Sequence, residues 1–295
     1  MTGSDELDPL AVRRQFSRRA PHLQDADFLL RAVEAQMLER LEFIKLLPQT
    51  VLDVGCGLGD GLLALRRRYP QAQAIGLDVA EAVAHRAANR LALPKASLLA
   101  RMLGQLRRTE PEPLASVVCA DTQALPLAFN SVDLIWSNLC LHWLNDPVIA
   151  ISEWQRVIRP NGLVMFTMFG VDTLRELRGA GSALMTFRDM HDIGDALVSA
   201  GFADPVMDMS PMTLSFEEPQ SLWSDLNALG GNALRGRQSG LNALSARARW
   251  VADLLRMRDN NDRLQVSVEV CHGHAWCPPE KKRADGLSRI QFRPK

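Results

Sequence analysis

Apolar positions along the first part of the chain follow two different periods. From residue 10 to residue 47 they recur every three to four positions, which predicts a helix that Pro48 ends. Short apolar runs then alternate with helical segments. The predicted strands cover 50–55, 72–79, 116–121, 131–138 and 162–169, the predicted helices cover 59–68, 81–91 and 147–158, and a polar, Arg-rich excursion covers 95–113. This β-α-β-α order predicts an α/β fold with a parallel, doubly wound sheet.

The pattern changes after residue 170. It predicts helices at 172–180, 189–200, 218–229 and 241–257, a short strand at 205–209 and a cleanly alternating last strand at 264–270. We expect a mostly parallel sheet with a C-terminal antiparallel strand. The predicted organisation is an N-terminal helical lid (1–47), a ligand-binding core (48–170), a helical substrate lobe interleaved with the last strands (171–277) and a flexible basic tail (278–295).

The composition is that of an ordinary globular chain. Its 295 residues are 47% hydrophobic and 23% charged, which argues against a disordered or coiled-coil protein. The net charge of zero conceals a division, because residues 1–229 carry 21 Lys and Arg against 28 Asp and Glu, whereas residues 230–295 carry 13 against 6. Such asymmetry is typical either of a basic surface in water or of one that meets an acidic partner.

The N-terminus is acidic and has no apolar segment, so we expect neither a signal peptide nor a transit peptide. No apolar run approaches the roughly 20 residues of a membrane span. Five cysteines without a C-x-x-C pair are typical of reduced thiols in the cytoplasm. Strand alternation separates Cys271 from its neighbours His272 and His274, and Cys277 follows closely. We therefore expect a strand end there, and no metal site.

The segment VLDVGCGLGDG, residues 51–61, runs from a buried strand through Gly55, Gly57 and Gly59 into a helix. Glycines permit positive φ angles and let a ligand approach the backbone. The N-terminus of the following helix offers free N–H groups. The spacing is G-x-G-x-G, which differs from the G-x-G-x-x-G pattern typical of a pyrophosphate site.

Polar residues stand at the ends of the next three strands. Asp78 ends the second strand, 19 residues after Gly59, where a carboxylate can accept hydrogen bonds from both hydroxyls of a ribose. Asp121 closes the third strand, and Ser137 and Asn138 end the fourth. Any one of them could be a polar loop residue. Together they predict a ligand site at the carboxyl edge of the sheet, with Asp121 placed to accept from an adenine amino group.

Residues 51–169 resemble the class I S-adenosylmethionine-dependent methyltransferases, which have a Rossmann-like sheet. The resemblance implies S-adenosylmethionine as the cofactor of the core. It places Asp53 near the methionine part, and Asp78 and Asp121 against the ribose and the adenine. The predicted cofactor-binding residues are Asp53, Gly55, Gly57, Gly59, Asp78, Asp121 and Asn138.

A closer resemblance covers nearly the whole chain. The strings FSRRA (16–20), WSNLCLHWLND (136–146), MFGVDTLRELR (168–178), DMHDIGDALVSAGF (189–202), LNALGGNALRGR (226–237) and GHAW (273–276) resemble the malonyl-acyl carrier protein O-methyltransferases of biotin synthesis. That family has a Tyr shortly after FSRAA that closes over the cofactor, and here Leu23 stands in its place. The resemblance also assigns Arg18 to the lid over the cofactor.

The resemblance implies methyl transfer to a malonyl carboxylate. A carboxylate is already ionised at pH 7, so no general base is needed and we expect no catalytic residue. The carboxylate still needs a cation, and Arg175 or Arg178 could pair with it from just beyond the fifth strand. His142 could form a polar wall and Trp143 an apolar lid. The alternatives are surface arginines on a helix and a core aromatic residue.

The basic C-terminal part suits an acyl carrier protein, which is acidic and presents its thioester on a phosphopantetheine arm. Residues 230–258 carry six Arg against one Asp. The candidates for carrier docking are Arg235, Arg237, Arg247 and Arg249. We expect no nucleic-acid partner, because this region lacks interleaved aromatic residues.

Three other functions stay open. Arginine-hydroxylase assembly factors of respiratory complex I carry similar LHW…ND, MFG-DTL-ELR and AGF strings and act on a protein partner. The acidic N-terminus lacks the Arg-rich transit peptide of the mitochondrial members, which favours the biotin family. A methyltransferase-like binding module and a methyltransferase for another small acid are the remaining alternatives.

Overall fold

The computed structural model describes residues 6–92, 115–178, 185–228, 233 and 241–280. The excursion expected at 95–113, and all of the tail beyond residue 280, lie outside these residues. The strands of the described part are β1 Thr50–Val54, β2 Gln73–Asp78, β3 Ser116–Cys119, β4 Val132–Ser137, β5 Ile158–Phe169, β6 Ala203–Phe216 and β7 Leu264–Trp276. They form one seven-stranded sheet of order β3-β2-β1-β4-β5-β7-β6.

The α-helices of the described part flank this sheet or lie at its edges. They are α1 Pro9–Arg19, α2 Phe28–Glu42, α3 Asp60–Arg68, α4 Glu81–Leu91, α5 Pro147–Val157, α6 Met190–Ala200, α7 Pro219–Ala228 and α8 Leu241–Arg256. One apolar core packs α2 and α3 around Trp136, and another packs α5 and α6 around Trp154 and Phe166. None of the helices in the described residues is long and apolar enough to cross a membrane.

The predicted parallel, doubly wound sheet is confirmed. Strands β1 to β5 all pair in parallel, and every residue of the central strand β1 is buried. Strand β7 is antiparallel to both β5 and β6, as expected of the C-terminal strand. Because the parallel strands share one direction, the ends of β1, β2 and β4 meet at the same edge, where ligands bind in open α/β sheets.

The last two strands are much longer than the sequence predicted at 205–209 and 264–270. Strand β6 is the edge strand, where Pro211 is tolerated opposite Glu269. Its residues alternate between exposed and partly buried, so their apolar pattern is weak. Strand β7 continues to Trp276, and its residues 270–273 are consecutively buried. A strand covered on both faces loses the alternation by which sequence analysis recognises it.

The single helix predicted from 10 to 47 was wrong. The segment divides into α1, a 3-10 helix at Ala20–Ala26 and then α2. Asp8 caps the first helix by accepting a hydrogen bond from the backbone N–H of Leu10 at 3.0 Å. Pro21 has no N–H to donate, so it cannot continue the α-helical hydrogen bonds beyond the end of α1.

The helix predicted at 172–180 was also wrong over its described part. A single 3-10 turn, Arg175–Leu177, stands there, and residues 179–184 lie outside the described chain. Leu174 adopts a left-handed conformation with φ of 54°. Its N–H donates to the carbonyl of Ser267 at 2.7 Å, so this segment is tied to β7 instead of forming its own helical bonds.

Candidate functional site

A cavity opens at the carboxyl edge of the sheet, above the ends of β1 and β2 and beneath α1 and α2. Six of the predicted cofactor residues line this one cavity, namely Asp53, Gly55, Gly57, Asp78, Asp121 and Asn138. Gly59 lies just outside it and precedes α3 with φ of 83°. Arg18 is exposed on α1 and does not line the cavity. Leu23 does line it and packs against Leu58 and Val83.

The glycine loop between β1 and α3 is shaped by its contacts with neighbouring segments. The N–H groups of Gly55 and Cys56 both donate to the carbonyl of Leu77, at 2.8 and 2.9 Å, which fixes the loop to β2. A Cβ added at Gly55 would lie 2.6 Å from Cys140 Sγ. Gly57 has φ of 53°, and a Cβ added there would meet nothing within 4 Å. The loop thus presents bare backbone to the open space of the cavity.

Asp78 is held in a fixed orientation at the end of β2. Its Oδ2 accepts from the N–H of Gly57 at 3.2 Å, and its Oδ1 accepts from the N–H of Ala80 at 2.8 Å. Burial raises the pKa of Asp78 to about 6, although both backbone hydrogen bonds favour the ionised form. A carboxylate oxygen has two lone pairs, so this group can accept further hydrogen bonds from a ligand.

Two further carboxylates meet at the start of α3. A Cβ added at Gly61 would lie 2.5 Å from Glu34 Oε1 and 2.8 Å from Asp53 Oδ2. Trp136 Nε1 donates to Glu34 at 3.3 Å. Burial raises the pKa of Glu34 to about 7, and burial together with the nearby carboxylates raises the pKa of Asp53 well above its usual range. Such a pair would be stabilised by a cationic group of a ligand.

The remaining strand-end residues differ in how they are engaged. Asp121 does not close the third strand as predicted, since β3 ends two residues earlier at Cys119; it is exposed and accepts from the N–H of Gln123 at 2.9 Å. Asn138 is engaged at both ends of its amide, because its Nδ2 donates to the carbonyl of Leu30 at 2.9 Å and its Oδ1 accepts from Thr167 at 2.7 Å. Asn138 therefore fixes α2 to the end of β4. Ser137 is likewise occupied, since its hydroxyl donates to the carbonyl of Val54 at 3.0 Å.

The other end of the cavity is aromatic. The ring of His142 lies 4.5 Å from that of Phe169, 5.3 Å from that of Trp143 and 5.8 Å from that of Phe187, measured between ring centroids. Phe16 of α1 meets Trp143 edge-on at 5.1 Å. Burial lowers the pKa of His142 to about 3, so its ring is neutral at pH 7. Its buried Nδ1 has no hydrogen-bond partner in the described chain.

The two arginines predicted to pair with a substrate carboxylate do not line the cavity. Arg175 is exposed and forms an ion pair with Glu176 at 3.3 Å, and Arg178 is exposed. The left-handed turn at Leu174 precedes both. Among the described cavity residues, Arg31 of α2 is the one arginine or lysine, and it lies 2.6 Å from Asp27.

Sequence analysis missed Arg31 and Glu34. With Asp27 and Leu30 they line the cavity at spacings of three and four residues, which place them on one face of α2. That spacing would have identified them once the N-terminal segment was divided into two helices. The docking candidates Arg235 and Arg237 lie outside the described residues. Arg247 and Arg249 lie on α8, but their side chains also fall outside them.

Comparison with known proteins gives consistent results. Residues 52–166 match the methyltransferase domain family. The chain is 42% identical over 297 residues to the malonyl-[acyl-carrier protein] O-methyltransferase of Methylovorus sp. (strain MP688), covering 98% of this chain and 96% of that protein. It is also 42% identical over 304 residues to the protein of the same name from Laribacter hongkongensis (strain HLHK9), covering 100% and 99%.

Solved structures show the same fold at low sequence identity. The YcgJ protein from Bacillus subtilis is similar with a TM-score of 0.56 and 14% identity, over 85% of this chain and 100% of that one. A SAM-dependent methyltransferase from Thermotoga maritima is similar with a TM-score of 0.51 and 13% identity, over 90% of this chain and 99% of that one.

Proposed function

This chain belongs to the family of malonyl-[acyl-carrier protein] O-methyltransferases, and from that premise we propose that it methylates the free carboxylate of a malonyl thioester held on an acyl carrier protein. The product is a methyl ester, and the reaction is an early step of biotin synthesis. The chain is an S-adenosylmethionine-dependent O-methyltransferase. The observation that carries the substrate proposal is that one cavity joins the strand-end carboxylates to a neutral aromatic end.

The glycine loop and Asp78 fit the nucleoside part of the cofactor. The free space above Gly57 gives room for a ligand against the backbone. We assign Asp78 to the ribose hydroxyls, since its two backbone hydrogen bonds fix its orientation before a ligand arrives. Asp121 remains our candidate for the adenine amino group. Asn138 holds α2 in place through one amide N–H and retains a second N–H for the cofactor.

The charges on α2 fit the amino-acid part of the cofactor. Glu34 and Asp53 form a carboxylate pair that an ammonium group would stabilise. Arg31 precedes Glu34 by three residues on the same helix face and offers a guanidinium for a carboxylate. We therefore propose that this face recognises the zwitterionic methionine group.

The aromatic end fits the malonyl group. S-adenosylmethionine supplies, when bound, an electrophilic methyl group on a positively charged sulfur. A malonate carboxylate is ionised at neutral pH, so the protein has no proton to remove from it. The neutral ring of His142 can donate one hydrogen bond to this group, while Trp143 and Phe169 exclude water around it. The protein's contribution is thus orientation and desolvation.

Three arginines keep their predicted roles as untested predictions and have no part in this mechanism. Arg175 and Arg178 are exposed, and Arg18 is exposed on the N-terminal helix. Arg235, Arg237, Arg247 and Arg249 remain candidates for docking the acyl carrier protein. We propose that the protein acts in the cytoplasm. The free thiols of all five cysteines support this localisation.

The test is a methyl-transfer assay with methyl-labelled S-adenosylmethionine. We expect label on malonyl-acyl carrier protein and none on acetyl-acyl carrier protein, which has the same carrier and arm but lacks the free carboxylate. Equal labelling of both carriers would contradict carboxylate methylation. Labelling of neither would contradict the proposed function.

A further inference from the structure

The outer face of α1 carries several positive charges that form no ion pair with the described residues. The helix PLAVRRQFSRR contains four arginines and no acidic residue. Arg13, Arg14 and Arg18 are exposed, and Leu10 beside them is 61% exposed. No described residue forms an ion pair or a side-chain hydrogen bond with Arg13 or Arg14. We call the surface formed by Leu10, Arg13, Arg14 and Arg18 the α1 face.

The opposite side of the same helix forms part of the cavity wall. Pro9, Val12 and Phe16 line the cavity at spacings of three and four residues, so they occupy one side of α1. Phe16 also contacts the ring of Trp143 at the aromatic end. The α1 face therefore lies on the outside of the helix that covers the cavity, one helix thickness away, or about 10–12 Å.

Helix stability accounts for only part of this charge. Arg18 and Arg19 stand in the last turn, where cations interact favourably with the helix dipole. Arg13 and Arg14 lie in the middle of the eleven-residue helix and have no such role. They also have no acidic residue at i±4 on α1, because the helix contains none.

Arginines elsewhere on the described surface are mostly paired with acidic residues. Arg256 pairs with Asp253 at 2.9 Å, Arg258 with Asp262 at 2.8 Å and Arg263 with Glu217 at 3.0 Å. In each of these ion pairs the two opposite charges neutralise each other locally, so the arginine offers little net positive charge to a partner. The α1 face is in this respect different, since no acidic residue of the described chain forms an ion pair with its arginines, and an exposed leucine lies beside them.

We propose that the α1 face is the docking surface for the acidic acyl carrier protein. This inference rests on the proposed function, which requires such a carrier to deliver its malonyl arm into the cavity. Charge complementarity selects the occupant, because an acidic protein is attracted to the uncompensated arginines. A carrier bound there would extend its thioester arm past α1 towards the aromatic end.

The test compares two double variants in steady-state assays. In R13E/R14E the charge of the α1 face is reversed, and Arg18 is kept because it is a candidate lid residue. The matched control is K45E/R67E, which reverses two exposed positive charges outside the α1 face. Each protein is assayed with malonyl-acyl carrier protein and with malonyl-pantetheine, which carries the same thioester without the protein.

We expect R13E/R14E to raise the KM for the carrier substrate at least tenfold and to leave kcat and the reaction with malonyl-pantetheine unchanged. Added salt should raise the wild-type KM for the carrier and have little effect on malonyl-pantetheine. The control variant should behave like the wild type. Unchanged circular dichroism and S-adenosylmethionine affinity would show that α1 remains folded.

Two outcomes would overturn the inference. One is an unchanged carrier KM in R13E/R14E while the wild type methylates the carrier normally. The other is a raised KM in R247E/R249E alone, which would assign docking to the C-terminal arginines predicted from sequence. Failure of the wild type with both substrates would be a different result, since it would contradict the proposed function itself.

Discussion

The glycine end of the cavity, formed by the glycine loop and Asp78, differs from the aromatic end because it is held mainly by backbone hydrogen bonds. Gly55 and Cys56 donate to the carbonyl of Leu77, and Asp78 accepts from two backbone N–H groups. These contacts join residues at the ends of two adjacent parallel strands. Side-chain changes elsewhere would leave this framework in place, so the residues that face the ligand can be tested one at a time.

The aromatic end is held by side chains from distant parts of the chain. Phe16 comes from α1, His142 and Trp143 from the turn after β4, Phe169 from the end of β5, and Phe187 from the segment before α6. Ring contacts, rather than backbone hydrogen bonds, connect them. The difference indicates that cofactor binding depends on a rigid frame, whereas substrate binding depends on the joint packing of several segments.

The largest expected effect tests the glycine end. D78A removes the acceptor for both ribose hydroxyls, at about 1.5 kcal/mol for each charged hydrogen bond, so the Kd for S-adenosylmethionine should rise on the order of 100-fold. Calorimetry measures it. The matched control is D133A, which also removes a carboxylate that accepts from two backbone N–H groups, those of Gln49 and Thr50 at 2.8 Å each. An unchanged Kd in D78A would refute the assignment.

The next effect tests the aromatic end. H142F preserves the ring contacts but removes the hydrogen-bond donor, so kcat/KM for malonyl-acyl carrier protein should fall roughly tenfold while the Kd for S-adenosylmethionine stays the same. His142→Asn, which restores a donor, should recover part of the loss. Because the pKa of His142 is about 3, its titration should add no inflection to the wild-type activity between pH 5 and 8. An equal loss of kcat/KM and of S-adenosylmethionine affinity in H142F would show that substrate binding and cofactor binding do not depend on separate ends of the cavity.

A smaller effect concerns the carboxylate pair of Glu34 and Asp53 at the start of α3. Burial raises the pKa of Glu34 to about 7 in the folded chain, above its ordinary value of 4.5. The folded state therefore retains a proton that the unfolded state loses, and this contribution to stability falls as pH rises from about 4.5 through 7. E34Q keeps the hydrogen bond with Trp136 without this titration. Its Tm at pH 7.5 should exceed the wild-type value by a few degrees, and the gap should close towards pH 4.5.

The same variant should bind the cofactor less well, because it removes a charge that faces the ammonium group. Calorimetry at pH 7.5 would show a higher Kd in E34Q. A Tm difference that does not change with pH would contradict the buried titration, and an unchanged Kd would contradict the ammonium site.

The smallest expected effect separates two arginines. R175A should change kcat/KM by about twofold or less, since exposed ion pairs such as that with Glu176 contribute little. R31A should instead raise the Kd for S-adenosylmethionine, because Arg31 lines the cavity. Steady-state kinetics measures kcat/KM and calorimetry measures the Kd for S-adenosylmethionine, and both are applied to both variants. A large loss of malonyl transfer in R175A would restore the substrate pairing predicted from sequence.

The contrast between the two ends also explains what could be predicted from the sequence. The glycine loop and Asp78 are recognisable because each follows a strand whose apolar run is continuous, and parallel strands bring their ends together. No comparable pattern relates Phe16 to Phe187, which meet the same turn after distant segments have folded. Arg175 follows β5 in sequence, but the left-handed turn at Leu174 and the contacts with β7 leave it exposed.

The most direct measurement of the central claim is the chemical nature of the transferred methyl group. After incubation of malonyl-acyl carrier protein with methyl-labelled S-adenosylmethionine and this protein, mild alkali should release the label as methanol, because a carboxyl methyl ester hydrolyses readily. Label recovered in a non-volatile product, either methylmalonate freed with the thioester or the carrier itself, would place the methyl group on carbon or on nitrogen and contradict the proposed reaction.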